Sequence, residues 1–158
     1  MKVLIVCLGN ICRSPMVEGW LRARIASDPT LRGRISVDSA GLGDWHAGQS
    51  PDTRAIHTAA THGIDISGQR ARMLSSRDFQ DFDLILCADR STLQQAVARM
   101  PPASTATIAC LLEWAGLPEP YDLADPYTGQ LADFEAVWVH VEGVGERIVG
   151  RLRGMLGA

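Results

Sequence analysis

The most constraining stretch of this 158-residue chain is its beginning, where the apolar run Val3-Leu4-Ile5-Val6 leads into Cys7-Leu8-Gly9-Asn10-Ile11-Cys12-Arg13-Ser14-Pro15. A short aliphatic run without polar alternation is what a strand buried on both faces of a parallel sheet requires. Gly9 and Asn10 tolerate left-handed dihedrals, so the chain can curl tightly directly after the strand. Ser14-Pro15 then signals a helix start, with Ser as a cap and Pro at the first helical position. Val17, Trp20, Leu21, Arg24 and Ile25 follow at helical spacing until Asp28-Pro29 ends the run. The result is one strand-loop-helix unit.

Further unbroken apolar runs over 35–37, 84–86 and 107–109 read as buried strands. Helical patterns cover 52–61, closed by His62-Gly63, and 91–99, closed by Met100-Pro101-Pro102. The longest helix is expected from Asp133 onward, on the rhythm of Phe134, Val137, Trp138, Val141, Val144, Ile148, Leu152 and Met155, although its four glycines weaken the intrinsic propensity. Strands alternating with helices imply right-handed crossovers and an open α/β sheet with helices on both faces. The length suits a single domain over 1–158, with one core. Hydrophobic residues at 46% and charged residues at 21% exclude a disordered chain. Fifteen Lys plus Arg against eighteen Asp plus Glu give a net charge of −3, with no basic surplus for nucleic acid or an anionic membrane. Anion binding must therefore be local. The apolar start stops at Gly9-Asn10 without a cleavage site, and no later run approaches the length of a membrane span. A cytoplasmic protein with reduced cysteines is expected.

In an open α/β sheet, ligands bind beyond the carboxyl ends of the strands, which is where Cys7 falls. A loop that closes on a helix can turn the N–H groups of Leu8, Gly9, Asn10, Ile11, Cys12, Arg13 and Ser14 around one tetrahedral oxyanion. Arg13 can add bidentate bonds to two phosphate oxygens. The same inward dipoles favour the thiolate of Cys7, and the Ser14 hydroxyl can bond to it, which makes Cys7 a candidate nucleophile. The second Gly and the Lys of a Walker loop are missing, and so is a Gly-x-Gly-x-x-Gly dinucleotide fingerprint.

The string C-L-G-N-I-C-R-S-P from Cys7 to Pro15 resembles the signature of the low-molecular-weight protein tyrosine phosphatases. The resemblance extends over nearly the whole chain through D-S-A-G at Asp38 to Gly41, Asp44-Trp45, Ala71-Arg72, I-L-C-A-D at Ile85 to Asp89, and D-P-Y at Asp125 to Tyr127. It implies a phosphotyrosine phosphatase I-like fold, with four parallel strands in the order 2-1-3-4. It also implies hydrolysis of protein phosphotyrosine through a cysteinyl-phosphate, with tyrosine-phosphorylated proteins as partners and neither cofactor nor metal. Cleaving an aryl phosphate needs a proton for the departing oxygen. Asp-Pro alone is a common turn pair; the resemblance makes Asp125 the general acid and then base. It makes Leu8, Trp45 and Tyr127 walls of the substrate pocket, and Asn10 and Ser39 supports of the loop. Two positions depart from the family pattern: Gln69 stands where many members have a supporting His, and Thr128 where many have a second Tyr.

Two other activities occur on similar folds. A thiol-coupled arsenate reductase needs a resolving cysteine pair at short spacing, but Gln94 lies seven residues after Cys87, and Cys110 is in another segment. A protein arginine phosphatase resembles this chain with Thr at the position of Ile11, so Ile11 favours the tyrosine branch. A non-catalytic anion-binding module would have no need to keep Cys7, Arg13 and Asp125 together. Cys87 and Cys110 are expected to fill core space. Cys12 shares the loop with Cys7, close enough for a reversible disulfide on oxidation. His46, His57, His62 and His140 have no paired metal spacing and read as surface or helix-packing residues.

Overall fold

The computed structural model describes residues 1–157; Ala158, the last residue of the expected domain, lies outside the described residues. Strands β1 (Lys2–Cys7), β2 (Ser36–Gly41), β3 (Leu84–Cys87) and β4 (Thr107–Cys110) form one parallel sheet in the order β2-β1-β3-β4. The helices are α1 (Arg13–Ala26), α2 (Thr53–Thr61), α3 (Asp78–Asp81), α4 (Arg90–Ala98), α5 (Leu111–Trp114) and α6 (Leu131–Met155). The expected architecture and strand order are both present.

Successive side chains of a strand point to opposite faces, and here each face has its own core. Val3 and Ile5 pack with Trp20 and Leu21 of α1, Ala59 of α2 and Phe134 and Trp138 of α6. Leu4 and Val6 pack with Phe79 of α3 and Ala96 of α4. A strand between two apolar layers cannot afford polar alternation, which is why the first run has none. β4 differs from the expectation of a strand buried on both faces. It lies at the sheet edge, and only Cys110 of its four residues is fully buried. β2, at the other edge, runs on through Asp38 to Gly41; Asp38 is polar but faces outward, where it pairs with Arg72.

Helix starts follow capping chemistry more closely than apolar rhythm. Asp52 caps α2 by accepting from the Arg54 N–H, and Asp89 caps α4 by accepting from the Thr92 N–H, so α4 begins at Arg90, one residue before the expected start. Gln130 and Asp133 form a reciprocal capping box, so α6 begins two residues before Asp133. The expected cap at Ser14 is absent. α1 begins at Arg13, and the Ser14 hydroxyl is turned into the loop instead, so Pro15 falls on the third helical position, where an N–H still has no intrahelical duty. The four-residue helices α3 and α5 are too short to show a period, and no sequence signal announces them. Among the described residues, no helix is long and apolar enough to cross a membrane.

The glycines of α6 are not equivalent. A β-carbon on Gly145 would lie 2.3 Å from Cζ3 of Trp20, whereas one on Gly143 would meet nothing within 4 Å. Gly145→Val is therefore expected to force α1 and α6 apart and to cost about 1–3 kcal/mol. Gly143→Ala should gain about 0.5–1 kcal/mol from helix propensity. Thermal unfolding of the two variants against the parent checks both signs.

Candidate active site

The shape of the loop between β1 and α1 depends on Asn10, whose φ of 59° is left-handed. Gly9 does not share that conformation. Its lack of a side chain serves close approach instead, since a β-carbon there would come within 3.1 Å of the His46 ring. Gly41, at the end of β2, is needed for the same reason: a β-carbon would sit 3.0 Å from the Leu8 carbonyl oxygen. The Leu42 N–H, next along, donates to the carbonyls of Cys7 and Leu8. The N–H groups of Gly9, Asn10, Ile11 and Cys12 donate to no backbone carbonyl among the described residues. They remain free to donate to an anion.

The Asn10 side chain fixes the curl. Its Oδ1 accepts from the Arg72 N–H at 3.0 Å, which leaves Nδ2 to donate to Ser14 Oγ at 2.7 Å and to Ser39 Oγ at 2.9 Å. Because Ser14 Oγ accepts from Asn10, its own proton is free to donate to Cys7 Sγ, 3.0 Å away. Ser39 in turn donates to the buried carboxylate of Glu18 at 2.6 Å. Burial raises the Glu18 carboxyl above its ordinary range, against the opposing bonds from Ser39 and Arg22. The sequence reading missed Glu18, whose only signal is a charged residue on the buried face of α1. Gln69 does not enter this network: its Nε2 donates to the Pro15 carbonyl, and its Oε1 is buried without a partner.

Arg13, with a side chain 4% exposed, is held by Asp89 and by the Leu123 carbonyl, both through Nη1, at 2.7 and 2.9 Å. Its Nη2 lies 3.6 Å from Asp125 Oδ2. Burial alone would lower the guanidinium's pKa, but the Cys7 sulfur, the bond to Asp89 and the charge of Asp125 outweigh it and raise it. Burial likewise works against ionised Asp89, yet bonds from Arg13 and Thr92 hold its carboxyl below the usual carboxylate range. Asp89 was legible only as part of a family string, and its role as the partner of Arg13 depends on β3 lying beside β1.

These groups open onto a pocket of about 240 Å³, lined by Cys7, Leu8, Gly9, Ile11, Cys12, Arg13, Trp45, His46, Asp125 and Tyr127. The expected catalytic residues and pocket walls are thus brought together, while Asn10, Ser14 and Ser39 stand behind the lining. Leu8, Trp45 and Tyr127 are exposed at 44%, 63% and 48%, as aromatic or aliphatic walls of an open mouth. His46, expected to be a surface or packing residue, also lines the pocket, 6.3 Å from the Tyr127 ring. His62 does pack, stacking on Trp138 at 5.3 Å. No group of three or more potential ligands that could hold a metal occurs among the described residues.

The other cysteines are buried. Burial is the main cause that pushes the thiols of Cys87 and Cys110 up, to about 12 and 11, and it raises that of Cys12 as well. Cys87 and Cys110 stand at paired positions of β3 and β4, both buried.

A family model described as "Low molecular weight phosphotyrosine protein phosphatase" matches residues 2–154. A Drosophila melanogaster low molecular weight phosphotyrosine protein phosphatase is 42% identical over 140 residues, covering 87% of this chain and 83% of that one. The crystal structure of YfkJ from Bacillus subtilis superposes with a TM-score of 0.88 at 34% identity, covering 98% and 96% of the two chains. That of a Drosophila arginine phosphatase gives 0.87 at 33% identity, covering 96% and 98%.

Removing the partner of Arg13 should be costly because the guanidinium stays buried. Asp89→Asn is expected to lower stability by about 1–3 kcal/mol at neutral pH. The Asp89 carboxyl is depressed in the folded state, so its contribution is complete above the unfolded carboxylate range and is lost as pH falls through the lower folded value. The stability gap between parent and variant should therefore close in acid, as denaturant titrations at neutral and low pH will show.

Proposed function

The chain belongs to the low molecular weight phosphotyrosine protein phosphatases, and on that premise we propose that it hydrolyses phosphotyrosine in proteins through a covalent intermediate on Cys7. The observation that carries this reading is the convergence of Cys7, Arg13 and Asp125 on one pocket with aromatic walls. The phosphate of the substrate sits in the loop, bonded by its N–H groups and by Arg13, which neutralise charge on the non-reacting oxygens. Trp45 and Tyr127 flank the tyrosine ring.

Cys7 Sγ attacks phosphorus in line, and the bond from phosphorus to the tyrosine oxygen breaks. Asp125 gives that oxygen its proton, so tyrosine leaves neutral. Asp125, now a carboxylate, takes a proton from a water that attacks the cysteinyl-phosphate. The sulfur–phosphorus bond breaks, releasing phosphate and restoring the thiolate. The Ser14 hydroxyl, aimed at Cys7 by Asn10, stabilises the sulfur both as nucleophile and as leaving group. No step calls for a metal. The whole chain, 1–158, acts as one phosphatase domain.

One observation favours a second reading, dephosphorylation of arginine: the likeness to the solved arginine phosphatase. Ile11 lines the pocket, and its aliphatic side chain suits an aryl group better than a guanidinium.

Cys7→Ser is expected to lower hydrolysis of p-nitrophenyl phosphate by roughly 10⁴-fold or more while leaving the circular dichroism spectrum unchanged. Undiminished turnover in the variant would reject the mechanism. Phosphotyrosine, phosphoserine and phosphoarginine peptides assayed side by side should show turnover of the first alone. Preferential turnover of phosphoarginine would establish the second reading.

A further inference from the structure

The segment that carries Asp125 has no helix or strand of its own between Ala115 and Gln130, and the Asp125 side chain is 42% exposed. A general acid on such a segment still has to meet the departing oxygen within a fraction of an ångström, because a misplacement of about 1 Å costs on the order of 100-fold in rate. Something outside the segment must fix it.

We propose that Arg54 is the positioning residue for Asp125, tying the acid's segment to the phosphate loop; this rests on the reading of Asp125 as the general acid. Arg54 lies in the first turn of α2 and spends its guanidinium in two directions. Toward the acid, Nη2 donates to the Tyr127 carbonyl and Nη1 to the Gly129 carbonyl, both at 2.9 Å. The N–H of the same Tyr127 donates to Asp125 Oδ1 at 3.1 Å, so holding residue 127 sets how the carboxyl is turned. The other oxygen, Oδ2, is the one that faces Arg13. Toward the loop, Nε and Nη2 donate to the two oxygens of Asp52 at 3.0 and 2.9 Å, and the Asp52 N–H donates to the Ile11 carbonyl at 2.8 Å. A continuous path thus runs from Ile11 through Asp52, Arg54 and Tyr127 to the carboxyl of Asp125.

The path is stiff at its centre. The guanidinium carbon sits 4.4 Å from the centroid of the fully buried Phe134 ring, which fixes the guanidinium against α6. The bond to Asp52 is the main cause that raises the guanidinium and, reciprocally, that holds the Asp52 carboxyl below its usual range. Four bonds in one plane need a fork of donors. A lysine ammonium on a flexible stem keeps the charge but cannot reach two carbonyls and both oxygens of a carboxylate together. Arg54→Lys therefore separates charge from geometry.

The test is kcat/KM for aryl phosphates ranging from a good leaving group, p-nitrophenol, to a poor one, phenol, in the parent, Arg54→Lys and Asp125→Asn. A displaced acid hurts the poor leaving group most, because its oxygen depends on the proton. Arg54→Lys is expected to lose roughly tenfold on phenyl phosphate but less than about threefold on p-nitrophenyl phosphate, with the inhibition constant of inorganic phosphate unchanged. Equal loss on both substrates, or no loss on either, overturns the inference. Should Arg54→Lys fail to fold, Asp52→Asn, which keeps an acceptor for the helix cap, is read in the same way: selective loss supports the path and uniform loss refutes it. Asp125→Asn separates the two layers. If it steepens the dependence on leaving group while Arg54→Lys does not, only the role of Arg54 falls. If Asp125→Asn leaves that dependence unchanged, the assignment of the acid falls first.

Discussion

One left-handed residue, Asn10, sets the geometry on which the rest of the site depends. At φ 59° it turns the chain back on itself directly after β1, and its carboxamide bonds three separate partners: the Arg72 backbone, Ser14 and Ser39. Each of those bonds has a consequence for the others. Arg72 claims the amide oxygen, so both hydroxyls must accept from the amide nitrogen. Ser14 is then left with its proton for Cys7, and Ser39 with its proton for Glu18. A polar network that is fully satisfied in this way rigidifies its surroundings, and here what it rigidifies is the ring of amides proposed to receive phosphate.

The sheet supplies the parts that the loop needs. β1 ends at Cys7, β2 carries Ser39 and ends at Gly41, and just beyond β3 stands Asp89, which caps α4 and orients Arg13 with the same carboxylate. All of them lie at or near the carboxyl ends of parallel strands. With the order β2-β1-β3-β4, the chain winds to one side of β1 and then to the other, and the crevice at that reversal is where an open sheet binds ligands. Electrostatics need only be local. A chain with a net charge of −3 can bind a dianion because one buried guanidinium and several uncommitted N–H groups face it.

What the sequence made legible is what is local in the chain. The strand-loop-helix unit, the candidate nucleophile and the arginine six residues on can all be read from neighbours along the chain. The pocket walls at Trp45 and Tyr127 and the proposed acid Asp125 needed a resemblance, since nothing in an Asp-Pro pair says which loop it will face. Tertiary pairings could not be read. Glu18 looks like an ordinary charged residue of α1, His46 like a surface histidine and Arg54 like a helix charge, until the fold sets them against Ser39, Gly9 and the 127–129 segment. Ser14 misled for a physical reason: its hydroxyl is a good cap, but the thiol of Cys7 and the amide of Asn10 compete for it and win.

On the proposed mechanism, the loop makes Cys7 the group that carries phosphate between substrate and water. Asp125→Ala can be mixed with p-nitrophenyl phosphate, whose leaving group departs without a proton from the acid, then quenched rapidly and digested for mass spectrometry. Slowing hydrolysis of the intermediate should leave a phosphoryl group on the peptide that contains Cys7 and on no other. A competent enzyme that shows no phosphorylated cysteine, or carries the phosphoryl group on another residue, would rule this role of Cys7 out.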